Sequence, residues 1–74
     1  MQRDWTAQVK GILKAELKRR HVTYGDLAHK LVEMGVYDTE PNIRNKIARG
    51  SFSAVFFVQC LLAIGCRSVH VDFS

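Results

Sequence analysis

The stretch TEPNIRNKIARG, from Thr39 to Gly50, decides how this chain is read. Thr39 is a residue type whose hydroxyl caps a helix by accepting from an amide two or three positions on. Pro41 falls in the first turn, where its missing N–H removes no intrahelical bond. Ile43 and Ile47 stand four apart and form one narrow apolar stripe. Asn42, Arg44, Asn45, Lys46 and Arg49 point elsewhere, and Gly50 is a natural stop. The competing reading is an ordinary surface helix with solvated charges. Against it stand two Asn, poor helix formers where Glu or Ala would serve a solvated face. Asn can bond adenine N6 and N7, and Arg or Lys can bond guanine O6 and N7. A slim polar helix held down by two Ile therefore suits a DNA major groove, with N-terminal amides available to a phosphate.

The segments on either side also read as helices. From Asp4 to about Arg20, Trp5, Val9, Ile12, Leu13 and Leu17 share one helical face, with Asp4 as cap and Lys18, Arg19 and Arg20 at the negative end. Trp5 is expected to close the end of the core. Gly11 weakens this helix, which predicts close packing of another helix there. A second helix runs from Thr23 to about Met34. Thr23 and Asp26 form a capping box with Asp in place of Glu or Gln, and Gly35 ends it. After Ser51 or Ser53 comes a segment apolar almost all round, ending at Gly65. Phe57, Cys60, Leu61 and Ile64 make one face, while Val55, Phe56 and Leu62 are left for another, which implies a partner. In the tail, Val69, Val71 and Phe73 alternate with polar residues, the period of a strand.

The chain has 74 residues, which bounds it to one domain with a small core. Residues 1–66 read as the folded unit and 67–74 as a dimerisation tail. The formal charge is +4. Lys10, Lys14, Lys18, Arg19 and Arg20 form one basic group and Arg44, Lys46 and Arg49 another, with no acidic residue between Glu40 and Asp72. Such a face favours polyanions. The longest apolar run, Ala54 to Gly65, is too short to cross a bilayer, so no membrane partner is expected. Charged residues throughout the first twenty positions argue against a signal peptide, and two cysteines are too few for a disulfide scaffold. The expected location is the cytoplasm, in association with the nucleoid.

The string RRHVTYGDLAHKL resembles the second helix of Cro/CI-type, lambda-repressor-like helix-turn-helix domains, regulators of bacterial and phage genes. Thr23, Tyr24, Leu27, Ala28 and Leu31 fall on that family's Thr-Gln, Leu-Ala and Leu positions. Gly50 matches the end of its third helix, and Ile64-Gly65 the end of its fourth. The resemblance covers roughly residues 8–66. TEPNIRNKIARGSFSAVFFVQCLLAIG is also similar to a small bacterial domain family of unassigned function related to that fold. The implied fold is all-α, a four- to five-helix lambda-repressor-like bundle, here with a short C-terminal β-strand. Two positions depart from the pattern. Tyr24 replaces the Gln that anchors a phosphate, and the turn GVYDT, residues 35–39, is longer than the family's tight turn.

The resemblance implies phosphate anchors at Thr23, Tyr24, Ser51 and Ser53. Side-chain chemistry and helix ends add Thr39, Arg49 and Lys18 or Lys14. The expected base readers are Asn42, Arg44, Asn45 and Lys46. Successive helical residues turn by about 100°, so Asn42, Asn45 and Arg49 share a face that Arg44 and Lys46 flank. Val55, Phe56, Leu62, Val69, Val71 and Phe73 are the expected dimer interface. The expected partners are double-stranded DNA and a second copy of the chain, with an inverted repeat as target. No cofactor is expected. His21, His29 and His70 lack zinc spacing with Cys60 and Cys66, between which five residues intervene. No glycine-rich phosphate loop or triad argues for catalysis. The alternatives are an adaptor or antitoxin-like interaction module without DNA function, and a non-specific architectural DNA binder.

Overall fold

Every helix among the described residues opens on a side chain that satisfies one of its unpaired amides. In the computed structural model, which describes residues 4–71, Asp4 Oδ1 accepts from the Ala7 amide at 3.1 Å and starts α1 (Trp5–Arg19). Thr23 Oγ1 accepts from the Asp26 amide at 3.0 Å while Asp26 Oδ2 accepts from the Thr23 amide at 3.1 Å. This reciprocal box starts α2 (Tyr24–Glu33). Thr39 Oγ1 accepts from the Asn42 amide at 3.2 Å to start α3 (Glu40–Arg49), whose second residue is Pro41. Ser53, rather than Ser51, caps α4 (Ala54–Ala63), its Oγ accepting from the Phe56 amide at 3.0 Å.

The helix ends share a second device. α1, α2 and α4 each finish with an amide two residues beyond the C-cap donating back into the last turn. The bonds are Val22 to Leu17 O at 2.9 Å, Val36 to Leu31 O at 2.9 Å and Cys66 to Leu61 O at 2.8 Å. This geometry needs a left-handed residue at the pivot. Gly35 and Gly65 supply it at φ 82° and 79°, and His21 supplies it at φ 56°. His21 is the one non-glycine residue with positive φ among the described residues, so α1 ends with a strain that α2 and α4 avoid.

Leu13 and Leu17 of α1, Leu27 and Leu31 of α2, and Ile43 and Ile47 of α3 meet Phe56, Cys60 and Leu61 of α4 in one core. α3 and α4 each pack against both α1 and α2. The chain turns by 119° between α3 and α4. Among the described residues no single helix is long and apolar enough to cross a membrane.

Three expectations are corrected. The domain is all-α, with four helices and no strand among the described residues. A strand needs a second backbone for its ladder, and a helical bundle offers none. The tail instead lies on the bundle. Cys66 Sγ donates to Ser68 O at 3.2 Å, Val69 packs on the core, and Ser68 and His70 run beside Gln8, Ile12 and Arg19 of α1. Asp72, Phe73 and Ser74 lie outside the described residues. Among the described residues nothing outside its own helix lies within 4 Å of where a Cβ would stand at Gly11, so no described helix packs on it. Trp5 is 58% exposed and does not close the core, being the first residue of α1.

Candidate nucleic-acid interface

α3 is seated by the two isoleucines foreseen for it. Ile43 and Ile47 are fully buried, which turns Asn42, Asn45, Ala48 and Arg49 outward. Its C-terminal end is held against α1. Lys10 Nζ donates to Ala48 O at 3.0 Å, partly satisfying the carbonyls that the helix end leaves open. Gly50 closes α3 at φ 71°, and a Cβ added there would lie 2.7 Å from Thr6 O. Only glycine allows both the left-handed turn and this approach to the α1 backbone.

The two flanks of α3 are not equivalent. On one, Arg44 Nη2 donates to Glu40 Oε2 at 2.6 Å, and its guanidinium lies 5.7 Å from the centre of the Tyr24 ring. Arg44 thereby joins α3 to the start of α2. On the other flank, Lys46 Nζ donates to Asp38 Oδ2 at 2.6 Å and sits 4.8 Å from the centre of the Phe56 ring. Asp38 is largely covered, and its other oxygen, Oδ1, accepts from the Thr39 amide at 3.0 Å. The Lys46 ammonium, with further hydrogen bonds from Asn42 and the Thr39 amide, holds the Asp38 carboxyl below the usual range. Lys46 is thus tied to the fold. It fastens the long turn 35–39, together with Gly35 and the Val36 amide, so that α3 leaves this turn in a defined direction.

The phosphate anchors proposed from sequence fall into two groups, one at each end of α3. The first surrounds a groove of about 400 Å³ between α1, α2 and α3, lined by Lys14, Lys18, Thr23, Tyr24, Glu40 and Arg44. Thr23, Lys14 and Lys18 are exposed there, and Tyr24 is half-buried. The second group is Arg49 with Ser51 and Ser53, all exposed where α3 gives way to α4. Ser53 is also the α4 cap. Phe52, between the two serines, fixes this turn by stacking on Phe57 at 5.9 Å and tilting against Phe56 at 5.7 Å. Thr39 lies on the exposed lip before α3, its hydroxyl serving as the cap.

The residues expected at a dimer interface separate. Val55 and Leu62 are exposed on α4, and Val58 joins them at helical spacing, a residue the sequence reading left out. Phe56 is buried against the core, because α4 turns it toward Phe52 and Lys46. Val69 is half-buried on the core, Val71 is exposed, and Phe73 lies outside the described residues.

Three pairings were missed from sequence: Glu40 with Arg44, Asp38 with Lys46, and Lys10 with the Ala48 carbonyl. Glu40 could have been found as the partner of Arg44 by the four-residue rule for helical ion pairs. Asp38 and Lys10 had no such signal, since each meets its partner only through the tertiary path. Elsewhere, Arg20 with Arg19 holds the buried Glu16 carboxyl below its usual range, and burial pushes the Cys60 thiol up to about 12. Among the described residues no group of three or more His, Cys, Asp or Glu is placed to hold a metal ion.

Residues 5–69 match a family described as a domain of unknown function (DUF6471), and the chain belongs to that family. No curated protein and no solved structure matches it significantly.

Proposed function

We propose that this member of the DUF6471 family is a DNA-binding transcriptional regulator that reads the major groove with α3 and works as a homodimer on an inverted repeat. The observation that carries the reading is the placement of cations and hydroxyls at both ends of an exposed polar helix. Ten residues at about 1.5 Å each make α3 roughly 15 Å long. A B-DNA major groove is about 12 Å wide, so the two anchor groups would meet the two phosphate backbones that border it. Asn42 and Asn45 are the side chains turned to base edges, while Arg44 and Arg49 stand with the anchor groups at the two ends of the helix. Lys46 supports the helix rather than reading bases. The exposed stripe Val55, Val58 and Leu62 on α4 supplies the surface for the second copy. A regulator of this kind works in the cytoplasm on the nucleoid.

The same apolar stripe supports a second reading, an adaptor or antitoxin-like module that binds another protein. Replacing Arg44 and Arg49 with Glu separates the two, since an adaptor tolerates the change and a DNA binder does not. The main test is selection from random-sequence duplex DNA at several salt concentrations, followed by sequencing. An enriched inverted repeat supports the regulator. Retention without enrichment replaces it with a non-specific architectural role. No retention even at low salt, where phosphate contacts are strongest, overturns both DNA readings.

A further inference from the structure

The groove at the start of α2 already contains an anion of the chain's own. Glu40 Oε2 accepts from Arg44 at 2.6 Å. Its other oxygen, Oε1, lies over Gly25, in space that an added Cβ would enter to within 2.9 Å. The carboxylate is thus lodged between the guanidinium and the first turn of α2, in the groove that Lys14 and Lys18 line. Both Glu40 and Arg44 are about half exposed, at 45% and 52% of their side chains. An ion pair in that setting is weak and exchanges readily. The guanidinium's planar fork fits a phosphate at least as well as a carboxylate.

We propose that Glu40 is an internal competitor for DNA phosphate, holding Arg44 in the free protein and yielding it when a phosphate enters the groove. This inference rests on the DNA-binding reading above. The exchange moves no covalent bond. Arg44 passes from one anion to another, and the released carboxylate turns to solvent. That carboxylate attracts back a counterion, so binding by the natural chain releases about one counterion fewer than it would without Glu40. Glu40 therefore weakens binding to DNA of any sequence and makes it less sensitive to salt.

The test is the affinity for a fluorescent random-sequence duplex over a range of salt. It compares the natural chain with Glu40→Gln, Arg44→Gln and the double variant. Glu33→Gln, at the far end of α2, makes the same charge change outside the groove. Glu40→Gln is expected to bind more tightly and to steepen the slope of log K against log salt by about 0.9. Its advantage should then shrink about 3.5-fold between 50 and 200 mM salt. In the Arg44→Gln background the Glu40 substitution should change nothing, and Glu33→Gln should leave the slope alone. Glu40→Gln matching Glu33→Gln, or acting equally without Arg44, overturns the competitor while the DNA reading stands. No binding by any variant at low salt overturns the DNA reading and this inference with it. Far-UV circular dichroism of each variant checks that helix content is unchanged.

Discussion

Alanine at Gly50 is expected to loosen the seat of α3 more than alanine at any other glycine in a left-handed turn. Gly35, Gly50 and Gly65 share nearly the same backbone, with φ of 82°, 71° and 79°. A methyl group in that conformation costs about 1 kcal/mol. At Gly35 and Gly65 nothing else opposes it, because among the described residues no atom beyond the adjoining ones lies within 4 Å of the new Cβ. At Gly50 the methyl would meet Thr6 O at 2.7 Å and Lys10 Cβ at 3.2 Å. The first is backbone inside α1 and cannot swing aside, so α3 must back away from α1. Forcing an extra methyl into a packed contact costs about 1–3 kcal/mol. The total for Gly50→Ala is on the order of 3 kcal/mol, a large part of the roughly 4–11 kcal/mol that holds a domain of this size. The melting midpoint should fall by about 12–24 °C, against about 4–8 °C for Gly35→Ala and Gly65→Ala. Gly11→Ala is the opposite case. It lies inside α1 with open space around it and should stabilise by about 1 kcal/mol. Thermal and urea unfolding followed by circular dichroism measures all four. Equal losses at Gly50 and Gly65 would refute the close α1–α3 contact. A loss at Gly11 that deepens as protein is concentrated would mean that this face of α1 is covered by a second copy.

The contrast between Lys46 and Arg49 is equally testable. Lys46→Gln should lower stability by about 1 kcal/mol through the loss of Asp38, leaving the salt slope of DNA binding intact. Arg49→Gln should leave the melting midpoint alone and flatten that slope by about 0.9. Acidification should destabilise the fold through Glu16. Its carboxyl is held below the ordinary value of 4.5, chiefly by the hydrogen bond from Arg20. The resulting stability is present above that value and is lost as pH falls through the lower folded value. Glu16→Gln should remove that part of the pH dependence, measured as melting midpoints across the acidic range. Cys60, fully buried with its thiol pushed up to about 12, should resist alkylation at neutral pH until the chain unfolds. Labelling of a Cys66→Ser variant with and without urea reads this directly.

Helix boundaries were the most legible part of the fold, because they are decided by near neighbours. Asp4, Thr23 and Thr39 declare themselves as caps by residue type and position, and Gly50 as a terminator. The stripe Ile43–Ile47 also located the outward face of α3 correctly. What failed depended on distant contacts. The alternation from Val69 onward has the period of a strand, but period reports only that alternate sides differ. Whether a second backbone is within reach is a property of the whole fold. Sequence alone turns Phe56 outward because α4 is apolar on nearly every side, which leaves its own pattern unable to choose a face. The neighbouring Phe52 and the Lys46 side chain settle the choice. The bond that ties Lys46 to Asp38 is invisible in sequence, since Asp38 lies eight residues upstream in an irregular turn, where no periodicity brings the two together.

The paired start and stop signals carry a kinetic consequence. Each of the four helices is opened by a cap bonded three residues ahead and closed by a turn bonded within five residues. Little of the boundary information waits for remote parts of the chain to meet. Domains whose contacts are mostly local fold in microseconds to milliseconds, since short loops close at little entropic cost. The chain should therefore recover from unfolding rapidly, with the turn between α1 and α2 the least stable of these boundaries, since His21 holds there a left-handed conformation that glycine would adopt freely.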